Sequence, residues 1–164
     1  MTTTKPKISC LAYFLTWSTY AQRLHGDNRG SVDLDHNKPN TPMLKPNAKR
    51  VEAEQFRAVQ TPFVLSEDMR PIVKKSIEDH AAIRKWLIWA LNVRTTHVHL
   101  VVDCTGTHTP ELALQQFKTW GTRRLIAAGL AKSHTRVWAD HGSTRYLNDQ
   151  LSLQRAIEYV MLEQ

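Results

Sequence analysis

Cysteine is nearly absent from the 164 residues: Cys10 and Cys104 are the only two. That excludes a disulfide framework and a cysteine-rich zinc site. Long apolar runs are missing as well. The longest, Cys10 to Leu15 and Trp86 to Leu91, fall far short of the roughly 20 residues that a membrane-spanning helix needs. Met1 to Lys7 is polar and carries Lys5 and Lys7, and the apolar run behind it is short and aromatic. It does not match a secretory signal. A cytoplasmic setting with two reduced thiols and no membrane partner is therefore expected. The sequence shows no internal repeat and no low-complexity segment.

Acidic residues are also in short supply. Fifteen Asp and Glu face 22 Lys and Arg, a net charge of +7. Residues 1–82 hold 12 basic and 9 acidic side chains and residues 83–164 hold 10 and 6, so the excess is spread along the chain. Such a balance is compatible with a polyanionic partner and does not by itself establish one. Hydrophobic residues make up 41% and charged residues 23%, ordinary values for a globular protein. The length favours one domain over residues 1–164 with a sizeable core.

Leu11 to Tyr20 is rich in aromatic and β-branched residues and predicts a first strand. Residues 21–60 hold Gly26, Gly30, Pro39, Pro42, Pro46 and many Asn and Asp, which marks a less regular insertion, functional or mobile. Val51 to Gln60 can form a short helix within it. Ser66, Glu67 and Asp68 signal a helix start, and Ile72, Val73, Ile77 and Ala81 continue at helical spacing to about 82. Trp86 to Val93 and His97 to Cys104 predict a hairpin joined by Arg94, Thr95 and Thr96. Thr109 and Pro110 open a further helix with Leu114, Phe117 and Leu125 on its inner face, and Gly129 stops it. Arg136 to Leu147 predicts a strand with a turn at Gly142 and Ser143. Asn148 or Asp149 caps a last helix with Leu153, Ile157 and Val160 as its apolar positions, running to the final residue. This order predicts an α+β, ferredoxin-like split βαβ fold with an antiparallel sheet, helices on one face and an extra C-terminal helix.

Two features carry chemistry. His97-Val98-His99 lies in the most apolar predicted strand. Alternate strand residues share a face, so both imidazoles project together and can offer two nitrogens to one divalent cation. They are equally compatible with two polar residues on an exposed sheet face. Tyr159 stands on the last helix with Glu163 one turn later and Gln164 one residue beyond. A phenol with a pKa near 10 is a weak nucleophile, and a nearby cation would assist it. His25, His36, His80, His108, His134 and His141 have no partner at ligand spacing and are taken as surface or structural. Trp17, Trp86 and Trp89 are assigned to the core, with base stacking an alternative for Trp17. Asp103 and Asp140 are isolated acids.

Thr96-His97-Val98-His99-Leu100-Val101-Val102 followed by Ala156-Ile157-Glu158-Tyr159-Val160 resembles the HUH single-tyrosine (Y1) transposases. Within them it is most similar to the IS200-like group and its REP-associated tyrosine branch. Phe14-Leu15-Thr16-Trp17 with Thr19-Tyr20 also match, as do Leu24-His25-Gly26-Asp27 with Arg29-Gly30, Gln116-Phe117-Lys118, and Trp138 with Gly142-Ser143. The resemblance runs from about residue 11 to the end, and Asn37 to Gln60 is its least similar part. It implies a single-stranded DNA nuclease and strand transferase, active in DNA transposition next to a DNA hairpin. His97 and His99 would hold Mg²⁺ or Mn²⁺, and Tyr159 would form a 5′-phosphotyrosine. In the family an amide side chain one turn after the tyrosine is the third ligand. Here Glu163 occupies that place, with Gln164 as the rival. The family's basic face points to Lys118, Arg123, Arg124, Lys45, Lys49 and Arg50 for phosphate contacts. Relatives act as homodimers or monomers. The alternatives are a replication or relaxase-type HUH nuclease and a non-catalytic ferredoxin-like nucleic-acid-binding module.

Overall fold

The computed structural model describes residues 10–22, 47–57 and 60–162. Its elements in chain order are β1 (Ala12–Ser18), α1 (Ala48–Arg57), α2 (Met69–Arg84), β2 (Leu87–Val93), β3 (His97–Asp103), α3 (Pro110–Ala127), β4 (Ser143–Leu147) and α4 (Gln150–Leu162). The four strands form one sheet in the order β2-β3-β1-β4. Each neighbouring pair is antiparallel. This is the expected α+β split βαβ arrangement. No described helix is long and apolar enough to cross a membrane.

Local chemistry accounts for the element ends. The Thr109 hydroxyl accepts from the Leu112 N–H and caps α3, with Pro110 at its first position. Gly129, at φ +72, lets the chain turn back so that the Gly129 and Leu130 N–H groups reach the Ile126 and Leu125 carbonyls. Asp149 caps α4: its Oδ1 accepts from the Ser152 N–H at 2.8 Å. That bond and a second from the Ser152 hydroxyl to Oδ2 hold its carboxyl below the usual range. The start of α2 departs from expectation. Its cap is Asp68, which makes no side-chain capping bond, while the Ser66 carbonyl takes the Met69 and Arg70 N–H groups.

Apolar side chains pack on both faces of the sheet. Tyr13, Leu15, Trp17, Val98, Leu100 and Val102 face α2 and α3, meeting Val73, Ile77, Phe117 and Leu125 in the main core. Trp17 lies parallel to Phe117 and edge-on to Trp138. Cys104 is buried there and its thiol is pushed up to about 12 by that burial. It has the character of a packing residue. The opposite face departs from the expectation of helices on one side only. There α4 lies across the sheet, and Leu153, Ala156 and Val160 pack on Ala12, Ala90, Val101 and Leu147. The sequence pattern of α4 shows an apolar stripe but not which face of the sheet receives it.

Two further expectations change. Arg136 to Leu147 is strand only from Ser143, preceded by an isolated bridge from Trp138 to Thr19. The chain passes close to its neighbours just before the strand: a Cβ on Gly142 would lie 2.8 Å from the Thr16 carbonyl oxygen and 2.7 Å from Leu114 Cδ2. Trp89 is not core. A bulge between Ile88 and Ala90 leaves it 45% exposed on the outer strand. Trp17 and Trp86 are buried.

Gly142→Ala is expected to cost about 1–3 kcal/mol, because the opposing atom is backbone and cannot swing aside. Urea denaturation of the two chains measures it. His80 is buried among Trp86, Phe117 and Trp120, with its Nε2 2.7 Å from Gln116 Oε1. Burial lowers its pKa below 6.5, opposed by the Gln116 bond and aided by Arg84 and His108. The unfolded chain therefore binds the proton first, and stability falls as the pH drops below 6.5. His80→Leu should flatten that acid limb, read from thermal midpoints across the same pH range.

Candidate functional site

The site is a product of the β1–β3 register. Thr16 pairs with His99 and Ser18 with His97. Val98 and Leu100 point into the main core, so His97 and His99 emerge on the α4 face. Their ring centroids are 4.7 Å apart. His99 is buried at 6% exposure and His97 is half-buried. The Thr16 hydroxyl lies 2.9 Å from His99 Nδ1, and the Thr96 hydroxyl lies 3.1 Å from His97 Nδ1.

The last helix brings Tyr159 to the same place. Its ring centroid is 5.5 Å from that of His99 and 5.9 Å from that of Phe14, edge-on to both. Tyr159 is 46% exposed, so it flanks the packed stripe of α4 instead of filling it. Asn92, which pairs with His99 across the hairpin, donates from Nδ2 to the Val160 carbonyl at 3.2 Å. That bond ties α4 to the sheet one residue after Tyr159. His97 and His99 on β3 and Tyr159, 60 residues further along the chain, thus border one region.

Other expected residues fall elsewhere. Glu163, Gln164 and Lys45 lie outside the described residues, as does the Leu24 to Gly30 motif. Lys49 and Arg50 stand exposed at the start of α1. Arg123 and Arg124 belong to α3, in the layer on the far side of the sheet from the histidines. Arg123 covers Trp120 at 5.2 Å, and Arg124 reaches Asp79 Oδ2 at 3.4 Å. Lys118 is engaged internally. Its ammonium donates to the carbonyls of Ala139, Asp140 and His141, at 2.7, 3.4 and 3.0 Å. Its own carbonyl accepts from Trp138 Nε1. Burial lowers its pKa to about 8, against the pull of Asp140. Lys118 therefore holds the segment before β4, and three acceptors occupy the three protons that a phosphate contact would need.

Among the described residues, no group of three His, Cys, Asp or Glu can hold a metal. His97 and His99 supply two candidate ligands. Sequence reasoning gave no role to Thr16, Thr96, Asn92, Phe14 or Arg145. The signal was present in β1, where Ala12, Phe14, Thr16 and Ser18 alternate with Tyr13, Leu15 and Trp17 of the main core. Arg145 pairs with Phe14 and shares its face, putting an exposed cation on the histidine side of the sheet.

Two solved structures share this architecture. A candidate transposase from Deinococcus radiodurans R1 is 17% identical with a TM-score of 0.54, over 98% of this chain and 96% of that one. A REP-associated tyrosine transposase bound to a REP hairpin is 12% identical with a TM-score of 0.51, over 98% of this chain and 70% of that one. This chain has the same fold as these two structures. At these identities the likeness concerns the fold, and the site must be argued from its own residues. No family model and no curated protein matches the chain.

Asn92→Ala removes the tie between sheet and tyrosine helix. A cost of about 0.5–1.5 kcal/mol is expected, with faster amide exchange in α4 than in α2 or α3. Hydrogen-exchange mass spectrometry on the two chains reads both.

Proposed function

We propose that this chain is a metal-dependent, single-stranded DNA endonuclease and strand transferase that acts in DNA transposition, next to a DNA hairpin, through a 5′-phosphotyrosine at Tyr159. The observation that carries this reading is the convergence of Tyr159 with His99 and His97 on one sheet face, with the phenol ring 46% exposed. A binding module has no need for a half-exposed phenol beside paired imidazoles.

The donor set suits a divalent cation. Two imidazoles stand side by side, each with Nδ1 at a hydroxyl, and a hydrogen-bond partner on the second ring nitrogen is usual for metal-ligating histidines. Imidazole alone favours softer cations, and an oxygen ligand turns the set toward Mg²⁺ or Mn²⁺. Glu163, one turn after Tyr159, is the proposed third ligand, with Gln164 as the alternative. When bound, the cation polarises the scissile phosphate and neutralises charge developing on it.

Tyr159 Oη gives its proton to solvent and attacks phosphorus. The bond from phosphorus to the 3′ oxygen breaks, and that oxygen takes up a proton and leaves as a 3′-hydroxyl. The downstream fragment stays esterified to Tyr159 through its 5′ phosphate. A 3′-hydroxyl then attacks the phosphotyrosine ester and the phenol recovers a proton. Each step exchanges one phosphate ester for another, so rejoining needs no nucleotide cofactor. Arg145, on the histidine face, and Arg155, one turn before Tyr159, would contact backbone phosphates. Lys49, Arg50, Arg123 and Arg124 would serve more distant parts of the strand.

Hairpin-bearing single-stranded DNA incubated with the protein and Mn²⁺ or Mg²⁺ is expected to give a covalent adduct on denaturing gels. Tyr159→Phe should abolish it. His97→Ala and His99→Ala should each lower its yield by more than the roughly 10- to 100-fold typical of outer-shell changes. Persistence of the adduct in Tyr159→Phe would exclude Tyr159 as the nucleophile. Tight hairpin binding without any adduct would point to the non-catalytic module instead.

A further inference from the structure

We infer that Thr16 and Thr96 are positioning residues that hold His99 and His97 in the Nδ1–H tautomer and so present the Nε2 lone pair of each ring to one cation. The purpose assigned to these two contacts rests on the metal-dependent reading above. The tautomers themselves are readable without metal or DNA.

The two contacts are independent of each other. Thr16 reaches His99 from the neighbouring strand, across the sheet, with Oγ1 at 2.9 Å from Nδ1. Thr96 precedes His97 in the chain and reaches its Nδ1 at 3.1 Å. Different backbones thus deliver the same group to the same ring atom of both histidines. A neutral imidazole carries one N–H and one lone pair, and a hydroxyl oxygen can accept from the N–H. With Nδ1 as donor, Nε2 is the nitrogen able to ligate. The opposite assignment would leave both Nε2 atoms protonated and neither able to ligate through that atom.

Both hydroxyls are carried by backbone that cannot drift. Thr16 is paired on one side with His99 and on the other with Ser143, and Gly142 packs against its carbonyl. The Thr96 carbonyl accepts from the N–H and the hydroxyl of Thr19, at 2.8 and 3.2 Å, and Thr19 is fully buried. Outer-shell partners act on a metal by fixing ring orientation and tautomer, and their effect depends on being held still. Sequence places these threonines 80 residues apart. Only the β1–β3 register makes them a pair.

Long-range proton–nitrogen correlation spectra of the full chain, without metal and at about pH 8, above the ordinary histidine range, read the tautomers directly. The expected result is the Nδ1–H form for both His97 and His99. Thr16→Val should release His99 alone, and Thr96→Val should release His97 alone, each toward the Nε2–H form. Thr16→Ser, which keeps the hydroxyl, should retain the wild-type form. Mn²⁺ titrated into the same proteins should bind about 10-fold more weakly to each Val variant and within about twofold of wild type for Thr16→Ser. An Nε2–H form at either ring in the wild type overturns the proposal, and needs no variant to fold. So does an Nδ1–H form that persists in the matching Val variant. The expected tautomers with no Mn²⁺ binding by the wild type would overturn the cation role. Absence of a DNA adduct, with the tautomers and Mn²⁺ binding as expected, would count against the nuclease reading alone.

Discussion

The antiparallel register between β1 and β3 is the constraint on which the rest depends. Strand side chains alternate with a period of two, so a slip of one residue would exchange the faces of every β3 side chain. His97 and His99 would enter the core beneath α2 and α3, and Val98, Leu100 and Val102 would leave it. Apolar burial forbids that. Each of those three residues is fully buried, and such a side chain contributes about 1.5–3 kcal/mol when removed from water. Leaving a polar ring buried without a partner would add a further penalty of about 1–3 kcal/mol. The main core therefore fixes the register, and the register fixes where the histidines stand. Core and candidate site are the two faces of the same seven residues.

The helix that carries Tyr159 has a different footing. It lies on a second, smaller core built from Ala12, Ala90, Val101 and Leu147, to which it adds Leu153, Ala156 and Val160. Four strands and two helices form the framework, and α4 is laid on it last in chain order. The arrangement separates duties. The rigid sheet sets the spacing of the imidazoles, and a helix with fewer buried side chains presents the phenol. The Asn92 bond to the Val160 carbonyl supplies at one point the registration that packing supplies elsewhere.

Much of this was legible in the sequence because local rules and tertiary packing agree. The alternation His97-Val98-His99 within a run of Leu and Val identified both the strand and the shared face of the imidazoles. Thr109-Pro110 and Gly129 marked the ends of α3 through capping and a positive φ. Where the reading failed, a distant partner decided the outcome. β4 begins only at Ser143, and the segment before it gives its carbonyls at 139–141 to Lys118, more than 20 positions earlier. Lys118 was expected among the phosphate contacts, yet the segment before β4 folds back over it. Trp89 looked like a core residue by composition, and a bulge turned it outward. That α4 would cover the second sheet face follows from neither propensity nor period. The threonines behind the histidines were invisible as partners for the same reason, since cross-strand neighbours are set by register and not by distance along the chain.

The bulge in β2 has a consequence for the company this molecule keeps. β2 is one of the two outermost strands, and its seven residues are mostly apolar. An outer strand of that kind is a template for another chain's strand to zip onto, the first step toward aggregation. The extra residue at Trp89 breaks the even spacing of its backbone donors and acceptors and increases the local twist. At the opposite border β4 offers only five residues. Neither border presents a long, flat ladder, so growth of the sheet by a fifth strand is discouraged from both sides.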